Sequence, residues 1–201
     1  MFLFGASGHA KVITEMIQLN GGNVSGFYDD DPQKTSLMDI PVLGNTEAYK
    51  SGNEKSLISI GNNRIRKKVT EQIEATYGQV IHPKAVVSET VEIGEGTVVM
   101  AGAVINPYTK IGKHVIINTA ASVDHDCHVS DFVHIAPKST LCGGISIGEG
   151  TLVGSGSVII PNTKVGKWVT IGAGSVVIED VPDYAVVVGN PARIIKYNSE
   201  R

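Results

Sequence analysis

The sequence predicts two regions of different class, an α/β domain over residues 1–79 and an all-β domain over residues 80–201. Three observations carry this. In the second region an aliphatic side chain recurs at every sixth residue from Ile81 to Val177, seventeen times without a gap. In the first, apolar runs of strand length alternate with apolar stripes at helical spacing. The chain of 201 residues also holds 23 glycines and only 5% aromatic residues, a balance suited to tightly coiled β-structure with a thin core.

Taken in order, Met1-Phe2-Leu3-Phe4 reads as a buried strand, Gly5-Ala6-Ser7-Gly8 as a turn, and Val12, Ile13, Met16 and Ile17 as one face of a helix. A second strand is expected at 24–28, ending in Asp29-Asp30-Asp31-Pro32, and a third at 57–60. Asn62-Asn63 then caps a helix whose Ile65, Val69, Ile73 and Tyr77 share a face. Alternating strands and helices argue for a small Rossmann-like parallel sheet. The Gly5-x-x-Gly8-His9 turn presents main-chain N–H groups at a helix N-terminus, which suits a phosphate. Asp29 and Asp30 follow at the end of the second strand, where an acidic side chain can bond a ribose or base. The spacing departs from Gly-x-Gly-x-x-Gly, which argues against a dinucleotide cofactor. The alternative is a plain tight turn with a solvated acidic loop.

Beyond residue 80 a second register lies four residues after each aliphatic position, running from Ala85 through Thr97, Ala103, Cys127 and Ser139 to Val181. Its members are small or β-branched. Together the registers describe short strands that each place one large and one small side chain inward, with Gly- and Asn-rich turns between. Neither a helix nor an ordinary hairpin sheet has this period. An irregular sandwich would show turn signals at the longer spacing of its strands.

This pattern, as in Ile93-Gly94-Glu95-Gly96-Thr97 and Ile171-Gly172-Ala173-Gly174-Ser175, resembles the hexapeptide-repeat superfamily. The resemblance implies an all-β left-handed parallel β-helix of triangular section, three hexapeptides per coil, assembled as a homotrimer with active sites between subunits. Residues 18 apart should then stack. Three further segments, 4–11 (Phe4-Gly5-Ala6-Ser7-Gly8-His9-Ala10-Lys11), 26–31 (Gly26-Phe27-Tyr28-Asp29-Asp30-Asp31) and 61–64 (Gly61-Asn62-Asn63-Arg64), narrow the likeness to one branch. It comprises bacterial sialic-acid O-acetyltransferases and N-acetyltransferases of nucleotide-linked 4-amino sugars, including those of the bacillosamine pathway. In the amino-sugar members the N-terminal domain holds the acceptor's nucleotide, which makes Gly8, His9, Asp29, Asp30 and Asn62 candidates for that site.

Repeat phase sorts the histidines. Val123 and Cys127 occupy the two inward registers, so Asp124, His125 and Asp126 project outward at a corner. A carboxylate beside an imidazole fixes its tautomer and stabilises the imidazolium, as a general base requires. Asp126 is the expected orienter, and the resemblance agrees, since the family's catalytic His is followed by an acidic residue. Gly143 stands 18 residues after His125. Its missing Cβ is expected to leave room for substrate, and its N–H to meet the thioester carbonyl and the oxyanion that develops there. The plainer reading is a corner glycine.

His134 lies half a coil from His125, so the two are not expected to meet within one chain. A trimer would bring them together across an interface, and the family has a His at this position near the acetyl group. His82, His114 and His128 read as surface or junction residues. Near the C-terminus, Gly189-Asn190-Pro191-Ala192-Arg193 matches the superfamily's terminal Gly-x-Pro-Ala-basic signature. Arg193 or Lys196 is then a candidate for coenzyme A phosphates, or else simply solvated. Pro161 and Gly172, with small residues around them, are candidates for the pantetheine track.

The expected function is transfer of acetyl from acetyl-CoA to the amine of a nucleotide-linked amino sugar, with O-acetylation of a sialic acid or other sugar hydroxyl as the alternative. Acetyl-CoA is a co-substrate, and no permanent cofactor or metal is expected. UDP and GDP stay open. A γ-type carbonic anhydrase would share the β-helix, but His125, His128 and His134 lack the His-x-x-x-x-His spacing of that family. A non-catalytic scaffold would not need the outward His and its acidic neighbour. A net charge of −3 without a basic face argues against nucleic acid. No apolar run approaches membrane-spanning length and the N-terminus lacks a basic signal-like region, so a cytoplasmic location is expected. Cys127 and Cys142 are expected to be free thiols.

Overall fold

A computed structural model describes residues 1–199. The N-terminal sheet contains β1 (Phe2–Phe4), β2 (Gly26–Tyr28), β3 (Ser36–Leu37), β4 (Ile40–Gly44) and β5 (Ser56–Ile58), in the order β3-β4-β2-β1-β5. The four strands other than β3 run parallel, and β3 folds back on β4 as an antiparallel hairpin. That hairpin was not anticipated from the sequence. Helix α1 (Gly8–Leu19) buries Ala10, Ile13, Met16 and Ile17 against the sheet and leaves Val12 exposed. Helix α2 (Asn63–Gln72) starts at the Asn62 cap, whose side chain accepts from the Ile65 N–H.

The helical expectation for residues 65–77 needs correction. Ile65 is exposed, α2 ends at Gln72, and the buried positions of the helix are Asn63, Arg66 and Val69. Periodicity assigned the inner face to Ile65. A charged residue took that face because it bonds main-chain carbonyls of both domains, as described below.

From Val80 onward the chain coils as a parallel β-helix whose strand pairs join residues 18 apart, such as Val104 with Ser122 and Lys110 with His128. Three flat faces result. The first carries strands beginning at Val80, Val98, Ile116, His134, Leu152 and Thr170, and ends in the antiparallel strands Ala185–Gly189 and Ala192–Tyr197. The second begins its strands at Val86, Val104, Ser122, Thr140, Val158 and Val176. The third begins them at Glu92, Lys110, His128, Ser146 and Lys164. Both inward registers fill the core: Ile105, Val123, Leu141 and Ile159 are buried, and so are Ala103, Ala121, Cys127 and Ser139.

The corners repeat as regularly as the strands. Left-handed backbone recurs at every sixth residue from Gly96 to Gly174 and includes Asp126 at φ 57°. Most residues resist this conformation, and Asp is among the few whose short polar side chain tolerates it.

The two domains share a core. Leu3, Ala10, Ile13, Met16 and Phe27 pack in one cluster with Val80, Val98, Met100 and Ile116 of the first face. Arg66, 1% exposed, fastens this junction. Its guanidinium donates to the carbonyls of His114 (2.8 Å) and Phe132 (2.8 Å) on the β-helix and to those of Ile60 (3.0 Å) and Gly61 (3.2 Å) on the N-terminal domain. It also donates to Asn63 Oδ1, and Asn63 Nδ2 in turn donates to the Gly150 carbonyl. Burial draws the guanidinium pKa down to about 9, which leaves it charged at neutral pH.

Candidate active site

The corner after the second-face strand Ser122–Val123 carries Asp124, His125 and Asp126 outward, while Val123 and Cys127 are buried on either side. His125 Nδ1 lies 2.7 Å from Asp126 Oδ2. A carboxylate accepts only, so Nδ1 bears the proton and Nε2 keeps its lone pair for an incoming proton. The Asp126 bond, with the charge of Asp124 beside it, holds the imidazole above its usual pKa. Asp124 acts on the main chain instead. Its Oδ1 accepts the His125 N–H at 2.8 Å and the Asn106 amide at 2.7 Å. These two bonds, Asn106 first, lower its own pKa.

Gly143 sits directly over the imidazole, and a Cβ there would fall 2.6 Å from His125 Cε1 and 2.7 Å from Nε2. The space expected for substrate is thus partly filled by the edge of the histidine ring itself. Among the described residues the Gly143 N–H has no acceptor, so it remains free to meet an oxygen. Continuing up the corner, Gly144 and Pro161 present little side chain. Gly172 has a packing reason, since a Cβ would strike Val188 Cγ1 at 2.7 Å, whereas Gly174 faces open space. Arg193 is exposed on the terminal hairpin and bonds the carbonyl of Ala192.

His134 belongs to the first face and does not meet His125 within the chain. Its Nε2 lies 3.0 Å from Asn118 Nδ2, and its ring centre is 6.5 Å from that of His9. Burial and the nearby Arg66 charge push His134 down to about 3 and His9 to about 4, so both are neutral. His134 lines a cleft of about 520 Å3 with Gly61, Asn62, Arg64, Leu152 and Trp168. His128 stands on the third face, so the three histidines of the zinc alternative occupy three separate parts of the coil. Among the described residues no group of three or more His, Cys, Asp or Glu is placed to hold a metal.

On the N-terminal domain, Asp29 Oδ2 accepts the Ala6 N–H at 2.6 Å and the Lys34 ammonium at 2.9 Å, and Oδ1 accepts the Asp31 N–H at 3.0 Å. Burial raises its pKa, but these bonds outweigh that and the net shift is downward. Asp30 accepts the Thr46 N–H. Both line a hollow of about 380 Å3 with Lys34, Gly44 and Asn45. Ser7 at the α1 N-cap makes no side-chain cap bond, and among the described residues the N–H groups of Gly8 and His9 have no acceptor.

The N-terminal 73 residues match the family model of the PglD N-terminal domain, and residues 144–179 match that of the bacterial transferase hexapeptide (six repeats). The acetyltransferase domain of PglB from Neisseria gonorrhoeae, a solved structure, is 39% identical with a TM-score of 0.90, over 96% of this chain and 98% of that one. The chain belongs to the PglD-like hexapeptide-repeat acetyltransferases. Within this family, PerB from Caulobacter crescentus, solved in complex with CoA and GDP-perosamine, is 36% identical with a TM-score of 0.87, covering 97% of this chain and 96% of that one. WeeI from Acinetobacter baumannii is 31% identical with a TM-score of 0.86, over 96% and 98% of the two chains. The Neisseria domain has also been solved with acetyl coenzyme A. No curated protein sequence matches the chain.

Several members of this site escaped the sequence reading. Asn106 stands 18 residues before Asp124, so the stacking rule that located Gly143 also points to it when applied backwards. Asn118 stands 16 residues before His134, two short of a full coil, so the stacking rule does not point to it. Arg66 gave no signal at all.

Proposed function

We propose that this protein transfers the acetyl group of acetyl-CoA to the amine of a nucleotide-linked amino sugar, with His125 as general base. The observation that carries the reading is the exposed His125–Asp126 pair, its free Nε2 set against Gly143, whose N–H has no acceptor among the described residues. Nε2 takes a proton from the amine as its nitrogen attacks the thioester carbonyl. The carbonyl oxygen gains the negative charge and the Gly143 N–H bonds it. Collapse of the adduct breaks the C–S bond, and the imidazolium returns its proton to the departing thiolate. Asp126 holds the ring in one tautomer and balances the imidazolium between those two transfers.

Relatives solved with CoA, acetyl coenzyme A and GDP-perosamine support both substrates. The acceptor's nucleotide is assigned to the α1 N-terminus and the Asp29–Asp30 hollow, with Gly8 and His9 N–H groups free for a phosphate. Pro161, one coil above Gly143, and Gly172, on the separate corner after the first-face strand that begins at Thr170, are assigned to the pantetheine arm, and Arg193 to the CoA phosphates.

The working form is a homotrimer. The N-terminal domain covers the first face, and Glu92, Lys110, His128 and Lys164 make the third face polar and exposed. The second face offers Val86, Val104, Ser122, Thr140, Val158 and Val176 outward, without a charge and without cover. Packing that face against its copies removes apolar surface that a thin coil cannot bury alone. It also brings a neighbour up to the corner of His125, which borders the same face, so that His134 and Asn118 of the neighbour complete the site. Among the described residues no helix is long and apolar enough to cross a membrane. Free Cys127 and Cys142 and the use of acetyl-CoA fit a cytoplasmic enzyme.

The test is turnover with acetyl-CoA and GDP- or UDP-linked 4-amino sugars. Replacing His125 with Ala should lower kcat by on the order of 10² to 10⁴, with acetyl-CoA binding retained, whereas His128→Ala should leave kcat unchanged. The reverse pattern would remove His125 from the mechanism.

A further inference from the structure

The stacked corner places Asn106 one coil beneath Asp124, and the two are joined by a 2.7 Å bond from Asn106 Nδ2 to Asp124 Oδ1. That same Oδ1 accepts the His125 N–H at 2.8 Å. Asn106 is half-buried, and its own N–H donates to the Val123 carbonyl at 2.9 Å, so its position is set by the coil and not by the corner loop. The exposed corner is therefore tied to the rigid sheet below it through two consecutive bonds. Asp126 fixes the ring and Asp124 fixes the backbone that carries it.

We infer that Asn106 is a positioning residue for the acetyl transfer: through Asp124 it locks the main chain of His125, and with it the height of Nε2 beneath Gly143. This rests on the assignment of His125 as the base. An amide suits the position because it donates without adding charge. A carboxylate there would face Asp124 at bonding distance, where two like charges resist joint ionisation. A hydroxyl would keep a donor at shorter reach, and an aliphatic side chain would leave Asp124 free to turn towards solvent.

The charged groups acting on His125 among the described residues are Asp124 and Asp126. Pro107 below and Gly143 above carry no side-chain charge. A change at Asn106 thus reaches the imidazole in two separable ways, through geometry and through the charge on the Asp124 pair.

Three variants separate these effects, with KM for each substrate, kcat and the pH profile of kcat as readouts. Asn106→Leu should lower kcat about tenfold, the scale of losing an outer partner that orients a catalytic group, with both KM values within twofold. Asn106→Ser should recover part of that loss. Asn106→Asp should move the acid limb of the profile to higher pH, because added negative charge makes the imidazolium harder to deprotonate. A purely structural Asn106 would give three variants with reduced melting temperature and no recovery of kcat in Asn106→Ser. That result, or wild-type kcat in Asn106→Leu, overturns the inference. His125→Ala assayed in parallel keeps the two readings apart. An inactive His125→Ala beside unaffected Asn106 variants defeats only the positioning role, whereas an active His125→Ala defeats the base assignment beneath it.

Discussion

Gly143→Ala is the sharpest test of the corner, because the added methyl has a known destination. Its Cβ would stand 2.6 Å from His125 Cε1 and 2.7 Å from Nε2, against an ordinary contact limit of about 3.4 Å. The ring must therefore retreat by roughly 0.8 Å, and it cannot do so while keeping its 2.7 Å bond to Asp126. Misplacing a reacting group by about 1 Å costs on the order of 10² in rate, so kcat should fall by about that factor. Gly143 lies outside the left-handed backbone region, unlike Gly144 at φ 70°, so the loss is not a matter of main-chain strain. Release of the CoA thiol at saturating substrate gives kcat, and its pH profile identifies the cause. Loss of the Asp126 bond lowers the imidazole pKa and moves the acid limb to lower pH. A methyl that merely obstructed substrate would raise KM and leave the limb in place. A kcat within threefold of wild type would refute the stacked arrangement.

Two further outcomes follow from charge and burial. Asp126→Asn should reduce kcat less than removal of His125 does and should shift the acid limb of kcat to lower pH. The reason is that the raised imidazole pKa rests first on the Asp126 bond; an unshifted limb would assign that pKa to other groups. The domain junction should be acid-labile: His9 and His114 are pushed down to about 4 and His134 to about 3, in each case first by burial. Groups with depressed pKa values contribute stability that is complete above about pH 6.5 and fades as pH falls through the folded values. Three such imidazoles set a slope approaching 4 kcal/mol per pH unit where all three take up protons only on unfolding. Melting temperature should therefore drop steeply between about pH 6 and 4, and substituting His114 by Phe should flatten that drop; an equally steep curve in the variant would exclude His114 from it.

The β-helix was legible because its constraint is periodic. Every coil repeats the same inward pair, so an unbroken series from Ile81 to Val177 leaves little freedom in the fold. The resemblance to the hexapeptide-repeat superfamily, with three repeats per coil, implied the spacing of 18 that relates His125 to Gly143. The N-terminal domain was legible at its first strand, turn and helix, where apolar periodicity and glycine coincide. It was not legible at the β3–β4 hairpin, whose short strands carry no marked alternation, nor in the length and inner face of α2, although the Asn62 cap and the helix it starts were expected. There the apolar periodicity pointed to Ile65 as an inner residue. The actual inner residue, Arg66, is decided by carbonyl groups of Ile60, Gly61, His114 and Phe132, which converge on it from distant parts of the chain. No local pattern encodes such a convergence.

Asp126 shows how the coil itself supplies part of the chemistry. Every corner in the described series needs one residue in left-handed backbone, and a glycine there would meet that need at the lowest conformational cost. Six of the fourteen positions from Gly96 to Gly174 do hold glycine, and the corner of His125 does not. Its left-handed residue is an aspartate whose carboxylate lies against the preceding imidazole. Asp accepts this backbone more readily than β-branched or bulky residues do, so the turn and the orienting carboxylate are provided by one side chain. One coil above, Gly144 fills the same left-handed place, and Gly143 leaves room for the ring that Asp126 holds upright. One coil below, Asn106 ties Asp124 to the sheet. The proposed base, orienter, backbone clamp and clearance thus occupy three consecutive coils of a single corner. An insertion between residues 106 and 124 would shift Asn106 out of register with Asp124, and one between 126 and 143 would carry Gly143 away from the imidazole, while His125 and Asp126 stayed together.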